Sequence, residues 1–116
     1  MLKKENRLSS DFEFNVSRKY GRYYESPLVH TYFLIPKNYQ GPTKVGIVVS
    51  NKFSKKAVER NRIKRIYRKV VEENFEKINK GDLWIVIHPK IGSSNKTYEE
   101  INLDFNNLLQ KASFSN

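Results

Sequence analysis

Lys55, Lys56, Arg60, Arg62, Lys64, Arg65, Arg68 and Lys69 crowd into fifteen residues, and the chemistry such a run supports is the binding of phosphate. The guanidinium fork matches phosphate oxygens bidentately, and each neutralised phosphate releases counterion, so log affinity falls with log salt at roughly 0.7 to 0.9 per contact. From Lys44 to Lys69 there are ten Lys or Arg against one Glu, a surplus of nine in a chain whose net charge is +10. The imbalance is therefore local, and a cluster of this kind is the electrostatic footprint of nucleic-acid binding. A merely solvated face is the bland alternative, but such faces are more often lysine-only or alternate in sign. Asn61, set among these arginines, could reach a base edge or a sugar, although water usually satisfies an Asn on a polar helix face.

The residues that could catalyse are scattered. Glu72 and Glu76 share a helix face, and Glu73 stands four residues from both Lys69 and Lys77, the spacing of surface ion pairs. His30 and His88 sit singly in separate expected strands, with no second histidine at ligand spacing, which gives little ground for a metal site or a general base. No glycine-rich phosphate loop, nucleophile elbow or zinc pattern occurs. The chain reads as a binder. Its aromatics Phe12, Tyr20, Tyr23, Tyr24 and Tyr32 could stack on unpaired bases. Core packing is the stronger expectation for Phe12, while Tyr20 and Tyr32 are evenly balanced between the two roles. Phe33, Phe53, Trp84 and Phe105 suit core or edge packing.

The elements that must position these groups follow from pattern. Ser10 and Glu13 form a capping box, and Phe12, Val16 and Tyr20 follow at helical spacing until Gly21 stops the helix. Leu28 to Ile35 alternates as a strand, with Val29, Phe33 and Ile35 on one face and His30, Tyr32 and Leu34 on the other, before Pro36 ends it. A polar loop, Lys37 to Thr43, leads to a second strand over Lys44 to Ser50, and the two strands are expected to pair as a hairpin. The basic helix then starts after Ser54 as N-cap, carries an apolar stripe of Ile63, Ile66, Tyr67, Val70 and Val71, and closes at Gly81. Leu83 to Ile87 is continuously apolar, as suits a strand buried on both faces. A second capping box, Thr97 to Glu100, opens a last helix with the stripe Ile101, Phe105, Leu108, Leu109 and Ala112.

The expected fold class is an α+β, α-β sandwich of order α-β-β(-β)-α-β-α, with a mixed sheet of about four strands. With 116 residues, one domain spanning 1–116 is expected. The 38% hydrophobic content supports a core, and the absence of cysteine removes disulfides and thiolate chemistry and favours the cytoplasm. No apolar run approaches membrane-spanning length.

Across Val58-Glu59-Arg60-Asn61-Arg62-Ile63-Lys64-Arg65-Ile66-Tyr67-Arg68 the chain resembles the protein subunit of bacterial ribonuclease P, whose signature helix carries an Arg-Asn-Arg core followed by Lys-Arg and a further Arg. The likeness extends upstream through Lys44 to Ser50 and to Arg7-Leu8 with Asp11-Phe12. It implies a ribosomal protein S5 domain 2-like fold with a left-handed βαβ crossover. It also implies a holoenzyme in which ribonuclease P RNA, with Mg2+, removes the 5′ leader of precursor tRNA and the protein alone is inactive. By that resemblance Lys52, Lys55, Lys56, Arg60, Asn61, Arg62, Lys64, Arg65 and Arg68 face the catalytic RNA. Phe12, Val16, Tyr20 and Tyr32 would line the leader cleft, Val16 standing where the family usually has a second aromatic. The resemblance implies no cofactor on the protein alone, no membrane and no DNA partner. A ribosomal or general RNA-binding module without a catalytic partner would use the same cations, and fold and charge do not separate the two.

Overall fold

The computed structural model describes residues 2–112. Helix α1 spans Asp11–Tyr20, β1 Arg22–Glu25, β2 Val29–Leu34, β3 Lys44–Ile47, α2 Ala57–Glu73, α3 Phe75–Ile78, β4 Trp84–Pro89 and α4 Tyr98–Lys111. The four strands form one mixed sheet in the order β1-β2-β4-β3, so the α+β class and strand number expected from the sequence are borne out.

The expected hairpin is not formed. β2 pairs antiparallel with β1 and β4, whereas β3 pairs only with β4, in parallel and across the α2 crossover. The reason lies in β4: Leu83 to Ile87 are all buried, and a strand apolar on both faces gains most in the middle of the sheet, between β2 and β3. The strand expected over Leu28 to Ile35 is shorter at its end, and Ile35 points into solvent.

Two apolar layers flank the sheet. On one face Ile85 and Ile87 meet Ile63, Tyr67, Val70 and Val71 of α2 and Ile101, Phe105, Leu108 and Leu109 of α4. On the other face Trp84 and Val86 meet Leu8, with Phe14, Val16 and Tyr32 packed at the margin. Both capping boxes are complete: the Ser10 and Thr97 side chains accept from the N–H groups of Glu13 and Glu100, whose carboxylates accept from the cap backbones. At the end of α1 a Cβ on Gly21 would lie 2.4 Å from the Ser17 carbonyl oxygen, so the chain leaves the helix there only with glycine.

α2 differs from expectation at both ends. Its N-cap is Lys56, while Ser54 Oγ accepts from the Lys56 N–H and so shapes the approach to the helix rather than capping it. It breaks at Asn74 before Gly81 is reached, because the buried Asn74 Nδ2 donates to the Val70 carbonyl and to Asn102 Oδ1 of α4, each at 2.7 Å. This amide ties the two helices across the larger core.

Candidate nucleic-acid interface

The stripe of α2 that buries Ile63, Tyr67, Val70 and Val71 against the sheet leaves Asn61, Arg62, Arg65, Arg68 and Lys69 exposed and Lys64 half-buried on the remaining faces. Lys52, Lys55 and Lys56 are exposed on the approach to the helix. Arg60 is half-buried like Lys64, so seven of the nine cationic and amide residues expected at a phosphate-binding face are exposed and two are partly so. Two of the nine are also structural. Arg60 Nη1 donates to the Ser54 carbonyl at 2.8 Å, and Arg62 Nη1 donates to the Ser94 carbonyl at 3.0 Å, fastening the segments on either side of the helix.

The acidic residues of α2 behave differently from the spacing argument. Glu73 does not pair with Lys69 or Lys77 but accepts the Tyr98 phenol hydrogen, and Lys69 Nζ lies 4.7 Å from the centroid of that ring. Lys77 reaches Asn106 instead.

Beside α2 the N-terminal segment runs along the free edge of the sheet. Arg7 forms a parallel bridge with Val45, and the Leu8 N–H donates to the Val45 carbonyl at 3.1 Å. This segment adds Arg7 to the cations of α2, a contribution invisible in the charge run because it comes from fifty residues upstream.

The opposite face of the sheet carries the aromatic residues. Val16 and Tyr32, two of the four residues expected at the leader cleft, pack against the same cluster of Leu8, Trp84 and Val86. Phe12 and Tyr20 do not join them: each is 67% exposed on α1, which overturns the expectation that Phe12 packs in the core. The inward positions of α1 are Glu13, buried with Ser17, and the flanking Phe14, whose ring covers Gly46 so closely that a Cβ there would lie 2.3 Å from it.

His30 and His88 also depart from the sequence reading. They are register partners on β2 and β4, with ring centroids 4.8 Å apart and planes within 15°. Tyr23 and Tyr32 adjoin His30 at 5.6 and 6.0 Å, completing an aromatic patch on the sheet. Burial, then the charges of His30 and Arg18, pull the His88 pKa down to about 4. Arg18 Nε donates to His88 Nε2 at 3.2 Å, so the neutral imidazole carries its proton on Nδ1. Sequence reasoning missed Arg18, His30 and His88; the usable signal was that each histidine lies on the same strand face as Tyr32 or Trp84. Among the described residues no three of His, Cys, Asp and Glu gather as metal ligands, and no helix is long and apolar enough to cross a membrane.

With the cationic α2 crossover on one side of the sheet and the aromatic patch on the other, the sequence and the fold match a known group of proteins. The family profile described as Ribonuclease P matches residues 2–113. The chain belongs to that family. The ribonuclease P protein component of Finegoldia magna is 36% identical over 112 residues, covering 97% of this chain and 95% of that protein. That of Clostridium botulinum strain Loch Maree is 33% identical over 113 residues, covering 97% and 99%. Among solved structures, the ribonuclease P protein of Thermotoga maritima superposes with a TM-score of 0.77 at 28% identity, over 90% of this chain and 96% of that one. The Staphylococcus aureus protein does so at 0.83 and 24% identity, over 97% and 100%, a likeness of fold.

Proposed function

We propose that this protein is the RNA-binding subunit of a ribonuclease P holoenzyme: it holds the catalytic RNA along α2 and the 5′ leader of precursor tRNA on the aromatic side of the sheet. The observation that carries this reading is the division of labour across one sheet, cations on α2 and partly or fully exposed aromatic side chains on α1 and β2. Lys52, Lys55, Lys56, Asn61, Lys64, Arg65 and Arg68 would meet phosphate or sugar directly, and Arg60 and Arg62 would do so while bracing the adjoining segments. Phe12, Val16, Tyr20 and Tyr32 would contact the leader, the two exposed rings offering stacking faces.

The hydrolysis itself belongs, in this reading, to the RNA subunit, which would supply the Mg2+ that activates water; the protein's part is electrostatic and positional. Cations on α2 would screen phosphate repulsion and so lower the Mg2+ concentration needed for folding and substrate docking. The deciding experiment is cleavage of a precursor tRNA at low Mg2+ by a bacterial ribonuclease P RNA, with and without this protein, and by the protein alone. Cleavage at the mature 5′ end only in the mixture is the expected result. Tight, salt-sensitive RNA binding with no stimulation would overturn the subunit assignment.

A further inference from the structure

A groove of about 530 Å³ opens between the outer edge of β3, the N-terminal segment and α2. Its volume falls within the roughly 300 to 1,000 Å³ usual for small-ligand sites. The floor is apolar, made by Leu2, Leu8, Phe14 and Ile47. The rim is cationic: Arg7 comes from the N-terminal segment, and Arg65, Arg68 and Lys69 come from consecutive turns of α2, with Glu72 the single carboxylate in the lining.

Main-chain groups also face this space. In the β3·β4 ladder the Lys44 and Val48 N–H groups donate into β4, so Val45 and Ile47 turn their N–H and C=O outward. The Val45 carbonyl is taken by the Leu8 N–H, but β3 is the edge strand, and among the described residues no strand lies beyond it on the outer side of Ile47. The groove therefore combines an apolar floor, a backbone donor and acceptor at its wall, and cations at its mouth.

We propose that this groove seats one unpaired nucleobase from the RNA that lies along α2. The combination fits a nucleotide part by part: the heterocycle covers the leucine and phenylalanine surface, its polar edge meets the Ile47 amide, and its phosphate with the neighbouring ones meets the arginines. Charge complementarity selects RNA over a peptide, because four cations against one carboxylate favour a polyanion. The inference rests on the proposed RNA-binding reading and adds to it a base contact beside a helix whose cations suit phosphates.

Nucleotide-resolution 2′-hydroxyl acylation of a bacterial ribonuclease P RNA, free and bound to the protein, tests this. Ile47→Trp and Leu2→Trp each fill the groove, and Leu103→Trp, on the exposed side of α4, is the control. The expected result is an unpaired nucleotide whose reactivity the wild type suppresses and both groove variants restore, with affinity lowered about tenfold and the control unchanged. Circular dichroism checks folding, and should Ile47→Trp fail to fold, Leu2→Trp decides alone. Protection that is the same in wild type and groove variants overturns the inference and leaves a protein segment as the occupant. Absence of any binding to the RNA would instead sink the subunit reading and this inference with it.

Discussion

The Arg62 side chain reaches across from the N-terminal half of α2 to the segment before α4, donating to the Ser94 carbonyl at 3.0 Å. Arg60 does the same on the other flank with Ser54 at 2.8 Å. A guanidinium can hold a carbonyl with one N–H and still direct others outward, which an ammonium does less well. Arg62→Lys keeps the charge and loses the fork. The expected outcome is faster amide hydrogen exchange over residues 94–96, by about two- to tenfold as one exposed hydrogen bond is lost, with the salt dependence of RNA binding nearly unchanged. Equal exchange in both proteins would mean that the contact does not order the segment.

Glu13 links the cap of α1 to the edge strand. Its Oε1 accepts from the Ser9 and Ser10 N–H groups at 2.9 and 3.1 Å, and its Oε2 accepts from Lys44 Nζ at 2.9 Å. Burial alone would raise this carboxyl, but the hydrogen bonds from Ser9, Lys44 and Ser10 outweigh it and bring the pKa from 4.5 down to about 2. The folded state thus binds the proton more weakly than the unfolded chain, so the contribution is complete above pH 4.5 and disappears as pH falls towards 2. Glu13→Gln should lower stability at pH 7 by about 1 to 2 kcal/mol. In urea titrations the gap between the two proteins should narrow on acidification through that window and not on raising the pH.

The stacked histidines add a second loss of stability on acidification, in which the form that folding favours is the neutral imidazole and not a charged group. Because the His88 pKa is lowered from 6.5 to about 4, folding disfavours the imidazolium. Stability is full above pH 6.5 and declines as the pH falls from there to about 4, since the unfolded chain gains the proton first. His88→Gln should flatten this slope, removing about 2 kcal/mol of acid sensitivity. Titration of the imidazole C–H resonances checks the cause directly, and an ordinary midpoint for His88 would contradict it.

The parts of this structure that the sequence disclosed are those written locally. Ser10 with Glu13 and Thr97 with Glu100 mark helix starts by their own spacing, and the unbroken apolar run at Leu83 to Ile87 marks the central strand. Strand pairing was not legible, because β3 waits for β4 across a whole helix and adjacency in sequence favours the wrong partner. The register that stacks His30 on His88 joins positions fifty-eight apart and leaves no local trace. On α1 the hydrophobic rule pointed outward: Phe12, Val16 and Tyr20 trace a helical stripe, yet Glu13 and Ser17 are the buried residues. The capping box and the Lys44 contact keep Glu13 inside, and two aromatic rings are left on the surface. A local rule broken in this way is the mark of a functional surface more than of a core.

Gly46 and Phe14 set the spacing between α1 and the edge strand. A Cβ at position 46 would stand 2.3 Å from Phe14 Cε1 and 3.2 Å from Leu8 Cβ, so any side chain there must expel the ring. Gly46 is buried in β3 and Phe14 is half-buried, which leaves the ring one way out, towards solvent and the groove beside α2. Gly46→Ala should therefore destabilise by about 1 to 3 kcal/mol, as overpacking does. Phe14→Leu, which replaces the ring with a smaller branched chain, should cost less in the Gly46→Ala background than in the wild type, giving a coupling of about 0.5 kcal/mol or more. A double-mutant cycle in urea measures it. Strict additivity would show that the backbone of β3, and not the ring, yields to the added methyl group.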